Sequence, residues 1–185
     1  MIYLEQLQIW NRSVNLTSIT VTEEIIIKHF VDSLAGLIAE PITQGASLVD
    51  IGTGAGFPGI PLKITRNDLN ITLIEPVQKK ISFLYSIVGL LRLERVTIFY
   101  GTLDQFILKN GQDSPFGYMT TRALKYESVL RRGSKLLTTG GKAIIYSSSR
   151  INPLELGNGW SINKEHEFDL PMEFGHRVVS ILSPA

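Results

Sequence analysis

The segment Asp50 to Gly59, Asp-Ile-Gly-Thr-Gly-Ala-Gly-Phe-Pro-Gly, sets four glycines in eight positions directly behind the apolar pair Leu48-Val49. A strand that ends in an acid and runs into such a loop is suited to a nucleotide-type ligand. Glycines permit positive φ and let a ligand reach the main chain with no Cβ in the way, and a helix beyond the loop offers unpaired N–H groups. Without a ligand the same glycines would lose conformational entropy for no packing gain. Glu75 closes Ile71-Thr72-Leu73-Ile74, where a carboxylate can accept from both hydroxyls of a ribose. Asp104, behind Tyr100-Gly101-Thr102-Leu103, could receive an adenine amino group while the adjacent main chain reads the ring; as an acid at a helix start it would also suit the dipole. Arg122, behind Met119-Thr120-Thr121, can bind phosphate or stack on a base.

Two ligand classes fit the loop. Gly54, Gly56 and Gly59 match the dinucleotide pattern G-x-G-x-x-G, with Glu75 at about the expected 20 residues downstream. The segment resembles more closely the loop of Class I S-adenosylmethionine (AdoMet) methyltransferases, Asp50-x-Gly52-x-Gly54-x-Gly56, with Thr53 inside it a further candidate for the cofactor. Asp50 discriminates between them. A carboxylate at the strand end would repel a pyrophosphate, whereas AdoMet carries an ammonium and a sulfonium that favour negative charge nearby.

His29, Asp32 and Ser33 lie at i, i+3 and i+4 and share one helix face. The trio invites a hydrolase triad, but triad members converge from different directions and these stand side by side. They read instead as a polar face that closes over a cofactor or satisfies neighbouring backbone. As metal ligands His29 and Asp32 lack a third partner at suitable spacing, so no metal is expected. Lys79-Lys80, Lys125 and Arg131-Arg132-Lys135 add basic character nearby, also readable as ordinary solvated helix faces.

The elements that must position these groups alternate along the chain. Helices are expected over residues 2–10, ended by Asn11-Arg12-Ser13, and over 23–37, opened by a capping box Thr20-Val21-Thr22-Glu23. Strands are expected at 48–51, 71–74, 96–99, 118–121 and 143–146. Between them fall a helix opened by Pro58 or Pro61 and helices at 79–91, 104–108 and 126–137. This alternation argues an α/β, mostly parallel sheet covered on both faces, with Asp50, Glu75, Asp104 and Arg122 brought to one rim. After the turn cluster Gly157-Asn158-Gly159, strands at 163–169 and 177–182 have no helix between them and suggest an antiparallel pair at a sheet edge. No linker or repeat divides the chain. It reads as one domain over 1–185, a helical extension at 1–40 packed on a sheet domain at 46–185.

The chain has 185 residues, 44% of them hydrophobic, a formal net charge of +1 and no cysteine. Disulfides, thiolate metal sites and cysteine nucleophiles are excluded, which suits a cytoplasmic protein. Neither a signal peptide nor a membrane span is expected, and the near-neutral charge neither demands nor excludes an RNA partner.

Taken in order, Trp10-Asn11, Asn15-Leu16-Thr17, Lys28-His29-Phe30-Val31-Asp32-Ser33-Leu34, Asp50 to Leu62, Lys79-Lys80 with Phe83-Leu84, and Thr120-Thr121-Arg122-Ala123 resemble the bacterial small-subunit ribosomal RNA methyltransferase G family, also called glucose-inhibited division protein B. The resemblance implies a Rossmann-like Class I fold with a seven-stranded sheet and an antiparallel C-terminal hairpin. It implies transfer of the AdoMet methyl group to N7 of guanine 527 in 16S rRNA, presented as RNA or as small ribosomal subunit; separately, a monomer is expected. Gly52, Phe57, Glu75, Leu103, Asp104 and Arg122 would be its cofactor-site residues. Several residues depart from the family: Gly117 where an acid is usual, Ser147-Ser148 in place of Lys-Gly, and His176-Arg177-Val178-Val179, which only approximates the usual closing strand. They leave open a catalytically silent AdoMet- or RNA-binding relative, beside a small-molecule methyltransferase or an NAD-dependent enzyme.

Overall fold

The computed structural model describes residues 1–110, 115–122, 124–156 and 159–185. Ala123 of the Thr120–Ala123 motif, and Gly157 and Asn158 of the expected turn, lie outside the described residues. Seven strands form one sheet: β1 (Ser47–Ile51), β2 (Asn70–Glu75), β3 (Val96–Tyr100), β4 (Phe116–Arg122), β5 (Leu137–Ser147), β6 (Trp160–Asp169) and β7 (His176–Pro184). Their spatial order is β3-β2-β1-β4-β5-β7-β6. The first five run parallel, with Leu48 of β1 opposite Ile71 on one side and Tyr118 on the other. β7 pairs antiparallel with both β5 and β6. The expected terminal pair is therefore present, but the chain's last strand is inserted and β6 takes the edge.

β1 shows why the sheet is buried on both faces. Its side chains alternate, so Leu48 enters one core with Leu7, Ile60, Leu73 and Phe83, while Val49 and Ile51 enter another with Met119, Val129 and Leu130. The helices are α1 (Ile2–Val14), α2 (Thr22–Ile25), α3 (Asp32–Ala39), α4 (Gly59–Thr65), α5 (Gln78–Leu90), α6 (Leu103–Asn110), α7 (Tyr126–Gly133) and α8 (Pro153–Leu156). Strand order reverses between β1 and β4, and crevices for ligands open at the carboxyl ends of strands at such a point. No helix among the described residues is long and apolar enough to cross a membrane.

Four boundaries differ from expectation. α1 does not break at Asn11; it runs to Val14 and stops at Asn15, which takes the left-handed conformation (φ 54°). Asn11 instead uses its side chain to hold Thr17, donating to the carbonyl and accepting from the N–H, both at 2.9 Å. The Thr20–Glu23 capping box is not formed, because the helix starts at Thr22 behind Val21 with no side-chain cap. The 126–137 helix stops at Gly133 and passes through a 3-10 turn (Ser134–Leu136) into a β5 that begins six residues before the expected Ala143.

The expected helix over 23–37 is continuous but not uniform. Between α2 and α3 the segment Ile26–Val31 winds as a π-helix, and the Asp32 N–H is shared by the carbonyls of His29 and Ile27. Such turns recur at functional sites. α3 lies close against β5: a Cβ on Gly36 would fall 2.0 Å from the Tyr146 hydroxyl oxygen, and that hydroxyl donates to the Ser33 carbonyl at 2.7 Å.

Candidate functional site

The loop after β1 is held by its own hydrogen bonds. Gly52 and Thr53 both donate to the Ile74 carbonyl at the end of β2 (2.9 and 3.1 Å), and Gly56 and Phe57 both donate to the Thr53 carbonyl (2.9 Å each). The Gly54 N–H goes to Glu75 Oε2 at 2.9 Å. Asp50 is fully buried beneath the loop, where Oδ2 accepts from Thr53 Oγ1 (2.7 Å) and from the N–H of Gly59, the first residue of α4 (2.8 Å). Ile60 donates to the Gly56 carbonyl at 2.7 Å.

Two expectations are corrected here. Asp50 does not face a ligand; it shapes the loop from below, and burial raises its carboxyl to about 6 against the bonds from Thr53 and Gly59. The start of α4 offers no spare donors at Gly59 and Ile60, because Asp50 and the loop have taken them. Gly56 also lies beneath, at φ 95°, where a Cβ would meet Ile60 and the Tyr3 hydroxyl. That hydroxyl donates to the Ala55 carbonyl at 2.5 Å, so α1 braces the loop.

Above the loop is a cavity of about 540 Å³, within the roughly 300–1,000 Å³ of small-molecule sites. Gly52, Thr53, Gly54, Phe57, Glu75, Leu103 and Arg122 line it. Gly54 takes φ 61° and the place of its missing Cβ is open space, the cradle expected where a ligand lies on the backbone. Glu75 is buried, with Oε1 accepting from the Val77 N–H at 3.0 Å and Oε2 from Gly54, so each oxygen keeps a lone pair for a ligand. Asp104 is exposed and is not part of this wall; it pairs with Arg132, which is, at 2.5 Å. Leu16, Thr17 and Lys80 also line it, from segments not assigned to the cofactor from the sequence, and so does His29, from the face read as closing over a cofactor.

Arg122, at the end of β4, is clamped by the π-helical segment and α3. Its Nη1 donates to the Lys28 carbonyl and to Asp32 Oδ2, both at 3.0 Å, and Nη2 approaches His29 Nδ1 at 3.2 Å. A guanidinium only donates, so His29 Nδ1 must accept, and the ring proton sits on Nε2 facing Thr17 Oγ1 at 2.8 Å. Burial and the Arg122 charge lower the imidazole to about 4, which keeps it neutral in that role. His29 also stacks on Phe57 at 4.9 Å, and Phe57 on Tyr3 at 5.2 Å, with the Arg122 guanidinium 5.4 Å from the Phe57 ring centre. The polar face read from the sequence is thus the seat of Arg122. Ser33 takes no part, since its hydroxyl donates back to the His29 carbonyl.

A second cavity of about 800 Å³ opens on the far side of His29, Arg122 and Leu124, at the carboxyl ends of β4 and β5. Ser147 and Ser148 line it. Gly117 does not lie at either cavity; it is at the amino end of β4, five residues or ~16 Å of strand from Arg122. Among the described residues no group of three or more His, Asp or Glu could hold a metal ion.

A sequence profile of the family described as rRNA small subunit methyltransferase G matches residues 1–170. The chain belongs to this family. Ribosomal RNA small subunit methyltransferase G of Clostridium botulinum (strain Loch Maree / Type A3) is 42% identical over 128 residues, covering 69% of this chain and 54% of that protein. The protein of that name from Desulfitobacterium hafniense (strain Y51) is 36% identical over 189 residues, covering 98% and 78%. The chain thus spans about half the length of the Clostridium relative. The crystal structure of MtNAS in complex with MTA and tNA aligns with a TM-score of 0.71 at 13% identity, over 100% of this chain and 73% of that one, a likeness of fold. Both ends of the methyltransferase G motif His29–Ser33 now have a place: His29 and Asp32 hold Arg122 and Ser33 bonds its own helix.

Proposed function

We propose that the chain is an AdoMet-dependent methyltransferase of 16S rRNA that transfers a methyl group to N7 of guanine 527, acting in the cytoplasm as a monomer over residues 1–185. The observation that carries this reading is the spent loop. With the N–H groups of Gly52, Thr53, Gly54, Gly56, Phe57 and Gly59 all bonded within the protein, the site offers a diphosphate no donor array, which favours a cofactor without phosphates.

AdoMet would supply an electrophilic methyl on its sulfonium. Glu75 would accept from the ribose hydroxyls, the Leu103–Asp104 backbone would meet the adenine, and Gly52 to Phe57 would form the floor under the amino-acid chain. Arg122 would set the boundary between cofactor and acceptor. Guanine N7 has a free lone pair, so transfer needs no general base, only an in-line approach and tolerance of the product's positive charge. His29 agrees with that chemistry: neutral and tied to Arg122 and Thr17, it orients and carries no proton away. Residues 1–40 belong to the site, since Leu16, Thr17 and His29 line it.

The test is incubation of the purified chain with tritiated AdoMet and with either 16S rRNA or small ribosomal subunits lacking the modification, followed by mapping of 7-methylguanine. Label at guanine 527 is expected. No label on either substrate, or binding of NAD in preference to AdoMet, would overturn the reading.

A further inference from the structure

The second cavity is built differently from the first. Lys28, Arg122, Lys125 and Arg177 face two carboxylates, Asp32 and Glu127, so the cavity holds two cations in excess, more than the net charge of the whole chain. His29, neutral, adds none. Asp32 is consumed by Arg122 at 3.0 Å and approaches Arg177 Nε at 3.6 Å. Lys28 is paired with Glu24 at 3.0 Å and lies over the Phe174 ring. Lys125, the residue before α7, is exposed and forms no ion pair among the described residues. His29, Arg122 and Leu124 form the shared wall between the two cavities, and Leu124 is 46% exposed. An acceptor must approach the methyl donor from the side the donor does not fill, and the loop and Glu75 fill the β1–β2 side. The β4–β5 side is the second cavity.

We propose that this cavity is the subsite for the substrate nucleotide, its base against Leu124 beside Arg122 and its flanking phosphodiesters at Lys125 and Arg177. The assignment rests on the methyltransferase reading above. A nucleotide extruded from its stack presents a planar apolar face and two anionic linkages together. The cavity matches both, with an apolar wall toward the donor and cations at the opening. Ser147 and Ser148 line the same space; the Ser147 hydroxyl donates to the Ser149 carbonyl and keeps acceptor capacity only, which leaves the Ser148 hydroxyl to donate to a phosphate oxygen.

The experiment compares the full chain with Lys125→Ala, Lys125→Arg and Arg177→Ala. AdoMet affinity is read by calorimetry, and RNA affinity by filter binding of 16S rRNA and of small subunits across a salt series. The expected result for each alanine variant is RNA binding weakened several-fold and a salt slope reduced by about 0.7 per lost contact on single-stranded RNA. AdoMet affinity should stay unchanged, and Lys125→Arg should restore the slope. Near-ultraviolet circular dichroism matching the wild type keeps a folding defect from imitating the loss. If the wild type binds AdoMet and methylates RNA while both alanine variants match it in affinity and slope, the subsite is wrong and the enzyme reading stands. If the wild type binds no AdoMet, the reading falls and takes the subsite with it.

Discussion

His29→Gln isolates the clamp on Arg122. In an unfolded chain the imidazole takes up its proton near 6.5, and in the fold only at about 4, because burial and the adjacent guanidinium oppose a second positive charge. Between those values the unfolded state binds more protons than the folded one, so stability falls as pH falls. At about 1.4 kcal/mol per pK unit, this one group removes about 2 kcal/mol between pH 7 and pH 5 and about 3 kcal/mol by pH 4. Glutamine cannot titrate but can still offer an oxygen to Nη2. Urea unfolding of wild type and His29→Gln at closely spaced pH values should give curves that converge as pH is lowered, the variant losing about 2 kcal/mol less over pH 7 to 5. Other groups cancel in the difference. Parallel curves would refute the neutral, Arg122-bound histidine, as would an NMR spectrum showing a pyrrole-like rather than pyridine-like Nδ1 at neutral pH.

Glu75→Gln keeps the shape but turns one of two acceptors toward a backbone N–H as a donor, so AdoMet affinity should fall by about 1–3 kcal/mol, roughly five-fold or more; unchanged calorimetry would sink the ribose role. Gly59→Ala sets a Cβ 2.6 Å from Leu73 and 2.7 Å from Asp50 Oδ2, and thermal unfolding should report a loss of roughly 1–3 kcal/mol. Gly54→Ala meets no atom but holds φ 61°, so it should cost only about 1 kcal/mol of stability while the new methyl group weakens AdoMet binding by filling the cradle. Equal effects of the two alanines on both readouts would contradict the division between a supporting and a ligand-facing glycine. Ser147→Lys adds a cation to the second cavity and should tighten RNA binding and steepen its salt dependence; a slope equal to the wild type's would argue that phosphates do not pass there.

Much of the architecture was legible because strand and helix periods alternate cleanly from Leu48 to Tyr146, and a parallel sheet of this kind admits few strand orders. The insertion of β7 between β5 and β6 was not legible: antiparallel neighbours exchange places without altering the pattern of either strand. At the site, the loop and Glu75 were readable as a pair from their spacing. The direction of Asp50 was not, since a strand-end acid can face a ligand or turn under the loop, and the decision lies in the Thr53 hydroxyl and the Gly59 N–H. The face shared by His29 and Asp32 was visible in their spacing. Its partner was not, because Arg122 lies 93 and 90 residues away and the π-turn changes which carbonyl is free.

The two devices meet at Phe57. The glycine loop delivers this ring to the centre of the site, where Tyr3 stacks on it at 5.2 Å and His29 at 4.9 Å. The loop is thereby tied to α1 and to the π-helical segment, and through His29 to Arg122 on β4. On the reading proposed above, Arg122 on the acceptor side would thus be positioned by the same column that holds the loop on the donor side, the arrangement in-line transfer needs: both boundaries fixed relative to one another before either ligand arrives, so that little ordering is left for the reaction itself. It also explains why segments outside the sheet, Leu16 and Thr17 after α1 and His29 of the π-helical turn, line the site. Without them the loop would keep its internal hydrogen bonds but Arg122 would lose every partner that fixes its direction.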